Sequence, residues 1–286
     1  MPVKNEVAKI GALAPWFGAK RTLSSRIVSQ LGPHRAYWEP FCGSMAVLLA
    51  KPVATMETVN DLHGDLVNLA RTVQGEETAV ELYARLNRTF MSEEVFKEQA
   101  AMWKAEGRRP AGEAPDVDRA FRFFLCSWMG MNGVAGTQSY NQGFCARYTK
   151  NGGHAAKRFH SAVESIPWWH ERLRTVTILN RDGFDLLERI EDAAGVVIYC
   201  DPPYLAKGAK YVHDFTSDDH KRLARLLDRF QKTRVVVSYY EHPELDSLYP
   251  EWKRIPCETA KALVNSGKRD GDGATVAPET LLLNLA

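Results

Sequence analysis

The apolar run Val196-Val197-Ile198-Tyr199-Cys200 ends in Asp201-Pro202-Pro203-Tyr204. A continuous run of this kind reads as a strand buried on both faces, and open α/β sheets bind their ligands beyond the carboxyl ends of such strands. The acid can accept hydrogen bonds, the prolines stiffen the turn and leave carbonyls without competing local donors, and the tyrosine supplies a flat face. Together these groups suit the capture of a planar, N–H-bearing group by positioning and electrostatics, with no covalent intermediate.

Four other segments carry residues of this sort. Tyr37-Trp38-Glu39-Pro40-Phe41-Cys42-Gly43-Ser44-Met45-Ala46-Val47 reads as a strand that turns into a helix through Gly43. Lacking a Cβ, Gly43 lets the backbone approach a ligand, and the helix N-terminus that follows can face an anion. Val59-Asn60-Asp61 puts an acid at the end of the next strand. It comes about twenty residues after the first turn, where nucleotide-binding βαβ units hold ribose hydroxyls. Asp61 could instead cap a helix beginning at Leu62, and Asp65 is the weaker competitor for the ribose role. Trp16-Phe17-Gly18-Ala19-Lys20 lies near the N-terminus, and Ile178-Leu179-Asn180-Arg181-Asp182-Gly183-Phe184 holds an acid that either caps the following helix or faces a ligand.

The order of these segments resembles that of the Dam-like, alpha-group DNA adenine-N6 methyltransferases, a branch of the Asp-Pro-Pro-Tyr amino-methyltransferases. Asp201 to Tyr204 is similar to the family's catalytic motif, Glu39 to Gly43 to its cofactor turn, and Trp16 to Lys20 to its Trp-x-Gly-x-Lys segment. The departure is Ser44-Met45-Ala46, where many relatives carry a second glycine. The resemblance implies an α/β fold: a Rossmann-like class I methyltransferase sheet with an inserted, mainly helical target-recognition subdomain. It also implies S-adenosylmethionine as cofactor, held by Trp16, Lys20, Glu39, Phe41, Gly43, Asp61, Asp182 and Asp201, with Asp201, Pro202, Pro203 and Tyr204 as catalytic residues.

The reaction so implied is site-specific methyl transfer to the exocyclic N6 amine of an adenine flipped out of double-stranded DNA. Asp201 and the Pro202 carbonyl would accept the amine hydrogens and aim the nitrogen lone pair, and Tyr204 would stack on the base. Cytosine N4 in DNA, or an RNA or protein amide, is the alternative substrate, and an inactive DNA-binding module is the alternative outside enzymes. Pro256-Cys257 has the residue order of a cytosine-C5 nucleophile, but it lies far downstream of the cofactor turn and reads as coincidence.

The elements that must position these residues alternate as in a parallel sheet. Helices are expected over 19–31, 44–50 and 62–74, with strands at 36–39 and 58–60. After the interruption, helices are expected over 162–173, 184–191 and 217–231. Strands are expected at 176–179, 196–200, 235–239 and 280–285, the last preceded by a mobile polar loop over 265–273. The interruption reads as a helical stretch from 76 to about 108, with Val80, Tyr83, Leu86 and Phe90 at helical spacing, a loop over 107–117, and a helix over 117–128. The expected division is 1–75 with 175–286 as the cofactor-binding catalytic domain, and 76–174 as the DNA-binding insertion.

Charge sharpens the reading of the insertion. The chain has 286 residues and a net charge of only +2, so a protein that coats nucleic acid by sheer basicity is excluded. Yet no acid occurs between Asp118 and Glu164, a stretch that holds Arg119, Arg122, Arg147, Lys150, Lys157 and Arg158 beside His154 and His160. This reads as a phosphate-facing surface. Asn132, Gln138, Ser139, Tyr140, Asn141, Gln142, Phe144 and Tyr148 are suited to base-edge contacts, and Asn141-Gln142-Gly143 permits a hairpin. Lys207, Lys210 and His213 form a second basic loop after the catalytic motif. Five scattered cysteines argue against a disulfide framework, and no metal, membrane span or secretory signal is expected. The expectation is a cytoplasmic monomer or weak dimer, an orphan methylase or the modification half of a restriction system.

Overall fold

The computed structural model describes residues 9–131, 136, 143–146, 154–205, 211–260 and 276–284, with side chains described at all of these except 258–260, 276 and 277. The first half runs α1 (Ser24–Leu31), β1 (Ala36–Glu39), α2 (Ala46–Ala50), β2 (Met56–Asn60) and α3 (Gly64–Gln74). Helices α4 (Glu76–Asn87), α5 (Glu93–Glu106), α6 (Val117–Met129), α7 (Ala155–Val163) and α8 (Ile166–Leu173) follow. The chain then returns to alternation with β3 (Thr177–Leu179), α9 (Gly183–Arg189), β4 (Val196–Cys200), α10 (Ser217–Asp228) and β5 (Arg234–Tyr240). It closes with α11 (Leu245–Leu248), β6 (Lys253–Ala260) and β7 (Val276–Leu283).

The strands form one sheet in the order β3-β2-β1-β4-β5-β7-β6. Strands β1 to β5 are parallel, and β7 runs antiparallel to both β5 and β6. This is the expected doubly wound, Rossmann-like arrangement, ended by a reversed hairpin. Strand order reverses between β1 and β4, where a crevice opens beyond the carboxyl ends of the strands. Glu39 and Asp201 leave their parallel strands on that same edge. The central strands β4 and β5 are mostly apolar because helices cover both faces: Val197 to Cys200 and Val235 to Tyr239 are all buried, Ser238 among them.

Several helices differ from the sequence expectation, each for a local reason. The stretch 76–108 is two helices. Ser92 caps the second by accepting from Val95 N, and Glu93 and Glu94 occupy its first turn. Leu86 is buried as expected and is joined by Ala79 and Leu82 in the stripe of α4, but Val80 is 66% exposed and Phe90, beyond the helix end, is 83% exposed. The helix expected over 162–173 is also two, α7 and α8, with Pro167 in the first turn of α8, where its missing N–H costs nothing. Strand β6 was not expected at all. It contains Cys257, a buried residue paired in register with Glu279.

The helical block shares a hydrophobic core with α3, built around Phe123, Phe124, Trp128 and Trp169. Those tryptophans also tether the N-terminal segment: Trp169 Nε1 donates to Ile10 O at 2.7 Å and Trp128 Nε1 to Leu13 O at 3.1 Å. Leu13 N then donates to Ser44 O at 3.0 Å, which ties the segment to the turn after β1. Trp16 and Lys20 are thereby delivered to the crevice.

Two members of the expected phosphate-facing set are elsewhere. Arg119 is buried on α6, paired with Asp65 and with Glu106 at 2.9 Å, and donates to Gly107 O at 2.8 Å. Arg122 pairs with Glu106 as well. The acid-free stretch is thus partly neutralised by acids from α3 and α5. Lys157 is exposed on α7, and Arg158 donates to Trp128 O at 3.1 Å. Asn132, Gln138, Ser139, Tyr140, Asn141, Gln142, Arg147, Tyr148, Lys150, Lys207, Lys210 and the loop 265–273 lie outside the described residues, and with them the expected hairpin. No helix among the described residues is long and apolar enough to cross a membrane.

Candidate active site

A cavity of about 240 Å³ opens at the crevice between β1 and β4. Trp16, Lys20, Glu39, Phe41, Gly43, Asp61, Asp182, Asp201 and Pro203 all line it; Pro202 and Tyr204 do not. Segments distant in sequence therefore converge on one space, as their order along the chain suggested.

The turn after β1 forms one wall. Gly43 has φ +45°, and a Cβ there would lie 3.1 Å from the Trp16 ring. Gly136 packs on the ring as well, where a Cβ would come within 2.3 Å. Trp16 is thus wedged between glycines. Met45 stands where the resembled pattern has a second glycine, and its backbone keeps the left-handed conformation, φ 60° and ψ 30°, with the side chain fully buried. The residue type departs from the pattern but the turn does not. Left-handed backbone costs a non-glycine residue about 1–2 kcal/mol, which burial of the methionine side chain can offset.

Asp61 ties this turn to the next strand. Its Oδ2 accepts from Gly43 N at 2.8 Å and its Oδ1 from His63 N at 2.9 Å. The cap of α3 is His63, not Asp61. Each carboxylate oxygen retains a further acceptor site, so Asp61 can still receive hydroxyl donors from the cavity. Asp65, the rival for that role, is committed to Arg119 and does not line the cavity. Asp182 does both things asked of it: Oδ1 caps α9 by accepting from Phe184 N at 2.7 Å, and the residue faces the cavity.

Aromatic rings make the opposite wall. Phe184 stacks with Phe215 at 5.3 Å, and Phe41 meets Phe215 edge-on at 5.6 Å. Gly183 is needed here because a Cβ would fall 2.4 Å from the Phe41 ring. Phe215 escaped the sequence reading, although a signal was present: it immediately precedes the capping box Thr216-x-x-Asp219. It closes that box as a staple, its ring 5.3 Å from His220.

The electrostatic centre is a cluster around Asp201. Lys20 Nζ lies 2.9 Å from Asp201 Oδ1 and 3.2 Å from Glu279 Oε1. Tyr204 Oη is 2.5 Å from Glu279 Oε1 and 3.3 Å from Asp201 Oδ1. Burial, with Glu279 adding to it against the pull of Lys20, pushes Asp201 up to about 6. Burial would lower Lys20, but Asp201 and Glu279 hold it above its ordinary value. Glu39 is buried with Tyr37 Oη, at 2.8 Å, as its one side-chain donor among the described residues, and burial pushes it up to about 8. Burial drops His63, also in the wall, to about 3, so it is neutral. Glu279 and His63 were both missed from sequence. Glu279 is the acid just before the apolar run that marks β7, a weak signal without the partner strands.

Residues 16–263 match the family model described as D12 class N6 adenine-specific DNA methyltransferase. The chain belongs to this family. The methyltransferase is 25% identical over 249 residues to the Retron Ec67 DNA adenine methylase of Escherichia coli, covering 84% of this chain and 81% of that one. It is 25% identical over 253 residues to the DNA adenine methylase of Vibrio cholerae (83% and 84% covered) and over 241 residues to that of Serratia marcescens (81% and 83% covered). It is therefore an adenine-N6 DNA methyltransferase that uses S-adenosylmethionine.

The residues present fit that cofactor. Gly43 and Gly183 let the Trp16 and Phe41 rings pack close as walls, the Phe41, Phe184 and Phe215 rings suit a purine, and Asp61 and Asp182 retain acceptor capacity for hydroxyl and amino donors. Asp201 gives the cavity a carboxylate suited to a cationic ligand.

Proposed function

We propose that the enzyme methylates adenine within a specific short sequence of double-stranded DNA, after the base has left the duplex. The carrying observation is the state of Asp201: Lys20 engages Oδ1, the Tyr204 hydroxyl lies 3.3 Å from that same oxygen, and no described residue takes Oδ2. One carboxylate oxygen is thus available to an N–H donor arriving at the end of β4. The Pro202 carbonyl is the second acceptor. Two acceptors on the exocyclic amine disfavour delocalisation of its lone pair into the ring and aim it at the incoming carbon. S-adenosylmethionine supplies that carbon as a methyl group on a sulfonium, a leaving group that needs no acid.

Cofactor positioning falls to Trp16, Gly43 and Phe41 as walls, Asp61 and Asp182 as acceptors, Lys20 as the buried cation and Glu39 as a buried, protonated acid. Tyr204 lies outside the cofactor cavity, its ring 4.5 Å from that of Tyr240, which supports a separate stacking place for the base. Unstacking an adenine costs a few kcal/mol, and stacking on an aromatic side chain returns about 1–3 kcal/mol. Residues 76–174 act as the target-recognition part, and 1–75 with 175–286 as the catalytic part. The protein works in the cytoplasm as a monomer or weak dimer, a place consistent with bacterial relatives that are DNA methylases.

Modification-sensitive sequencing of a methylation-free host expressing the enzyme tests this directly. One short motif carrying N6-methyladenine is expected, lost with Asp201→Ala. Methylation of cytosine alone, or of no DNA base, would overturn the proposal.

A further inference from the structure

Tyr204 Oη carries one hydrogen, and two carboxylates compete for it. The 2.5 Å contact to Glu279 Oε1 is far shorter than the 3.3 Å contact to Asp201 Oδ1, so the hydrogen goes to Glu279. The same Oε1 sits 3.2 Å from Lys20 Nζ, whose other carboxylate is Asp201. The lysine is also 4.9 Å from the centre of the Tyr204 ring. Glu279 is nearly fully buried, and it reaches the site from β7, the strand that reverses the sheet direction.

The cluster has a chemical consequence. A single buried lysine facing a single carboxylate would neutralise it and occupy its best acceptor site. With Glu279 present, the ammonium is divided between two acids, and the Tyr204 hydroxyl is drawn away from Asp201. We propose that Glu279 is a positioning residue of the methyl-transfer site: it pins Tyr204 and shares Lys20, so that Asp201 keeps a strong acceptor oxygen turned to the target amine. This rests on the reading of Asp201 as the acceptor of the amine hydrogens. Glu279 touches neither substrate nor cofactor in this scheme and acts through Tyr204, Lys20 and Asp201.

A purely structural Glu279, present only to neutralise Lys20 in the interior, would not govern the pH dependence of the reaction. Asp201 is faced by Lys20 from the N-terminal segment, Glu279 from β7, Glu39 from β1, Tyr199 from β4, and Tyr204 and Tyr211 from the following loop. Of these neighbours, Glu279 is the strongest to raise Asp201, so removing its charge must lower the acid limb of turnover.

The test is single-turnover transfer of tritiated methyl to unmethylated adenine-containing DNA, across pH, for the full-length enzyme and E279Q, with cofactor binding and melting temperature measured alongside. Expected for E279Q are a turnover lower by about tenfold or more, a KM for the cofactor within about threefold of wild type, and an acid limb displaced downward by about half a pH unit. In a Tyr204→Phe background the loss from E279Q should shrink, because part of its effect passes through the hydroxyl. An unmoved acid limb or unchanged turnover would overturn the inference. If E279Q does not fold, E279D is measured in the same way; failure of both to fold shows a structural role and also overturns it. A wild type that transfers nothing to adenine sinks the underlying reading itself, whereas an active wild type with an indistinguishable E279Q sinks the inference alone.

Discussion

The Lys20 ammonium meets the Asp201 carboxylate at 2.9 Å, joining the N-terminal segment to the end of β4. The contact holds both ends of the site together and sets the charge on the acid that faces the substrate. Lys20→Met should therefore push Asp201 further above about 6, since the opposing pull is lost while burial and Glu279 remain. Turnover at pH 7 should fall by about tenfold or more, and the acid limb of kcat should move upward, opposite in sign to the E279Q displacement. An acid limb that stays in place would show that Lys20 does not control Asp201.

Gly183 has no room for a side chain. Gly183→Ala would set a Cβ 2.4 Å from the Phe41 ring and force that ring toward the cavity. Cofactor affinity should weaken by about tenfold, roughly 1.4 kcal/mol, with little change in melting temperature without ligand. Isothermal titration with S-adenosylhomocysteine reads this directly; unchanged affinity would place the purine elsewhere.

Arg119 lies in the acid-free stretch, yet its side chain is 3% exposed and bound to an Asp65 that is 2% exposed. Arg119→Ala leaves that carboxylate buried without its partner, a loss of about 3–5 kcal/mol in stability. Urea unfolding should show the loss in full. If the variant is as stable as wild type but binds DNA weakly, Arg119 is a phosphate contact after all.

Glu39 links stability to pH. Its folded value of about 8 lies above the ordinary 4.5, so the folded state keeps a proton that the unfolded state has released. Its stabilising contribution is complete below about 4.5 and is lost as pH rises through about 8. Glu39→Gln keeps an acceptor for Tyr37 and removes this dependence. Melting temperatures at pH 5.5 and 8.5 should show the variant gaining on wild type as pH rises; parallel profiles would mean that Glu39 is already ionised.

The motifs were legible because each is local. Strand β4 appears in the sequence with the same bounds as in the fold, since a strand buried on both faces must be apolar along its length and Asp-Pro-Pro must end it. Gly43, Asp61 and Asp182 were found for the same reason: a turn, a strand end and a helix start each impose residue types on a few neighbours. The stripe of α4 was read correctly at Leu86 but misread at Val80, which has helical spacing and yet faces solvent, and at Phe90, which lies beyond the helix end.

The sequence alone thus determined the parallel strands, the cofactor turn, the acids at the strand ends and the Asp-Pro-Pro-Tyr motif. Only the tertiary structure decided which charges neutralise one another. Arg119 became a core ion pair because α3 and α5 bring Asp65 and Glu106 to it, and Glu279 entered the site because β7 lies beside β5 in the sheet. Electrostatic partners are chosen by distance and burial in the folded chain, and neither can be read from the spacing of residues that the fold has yet to bring together.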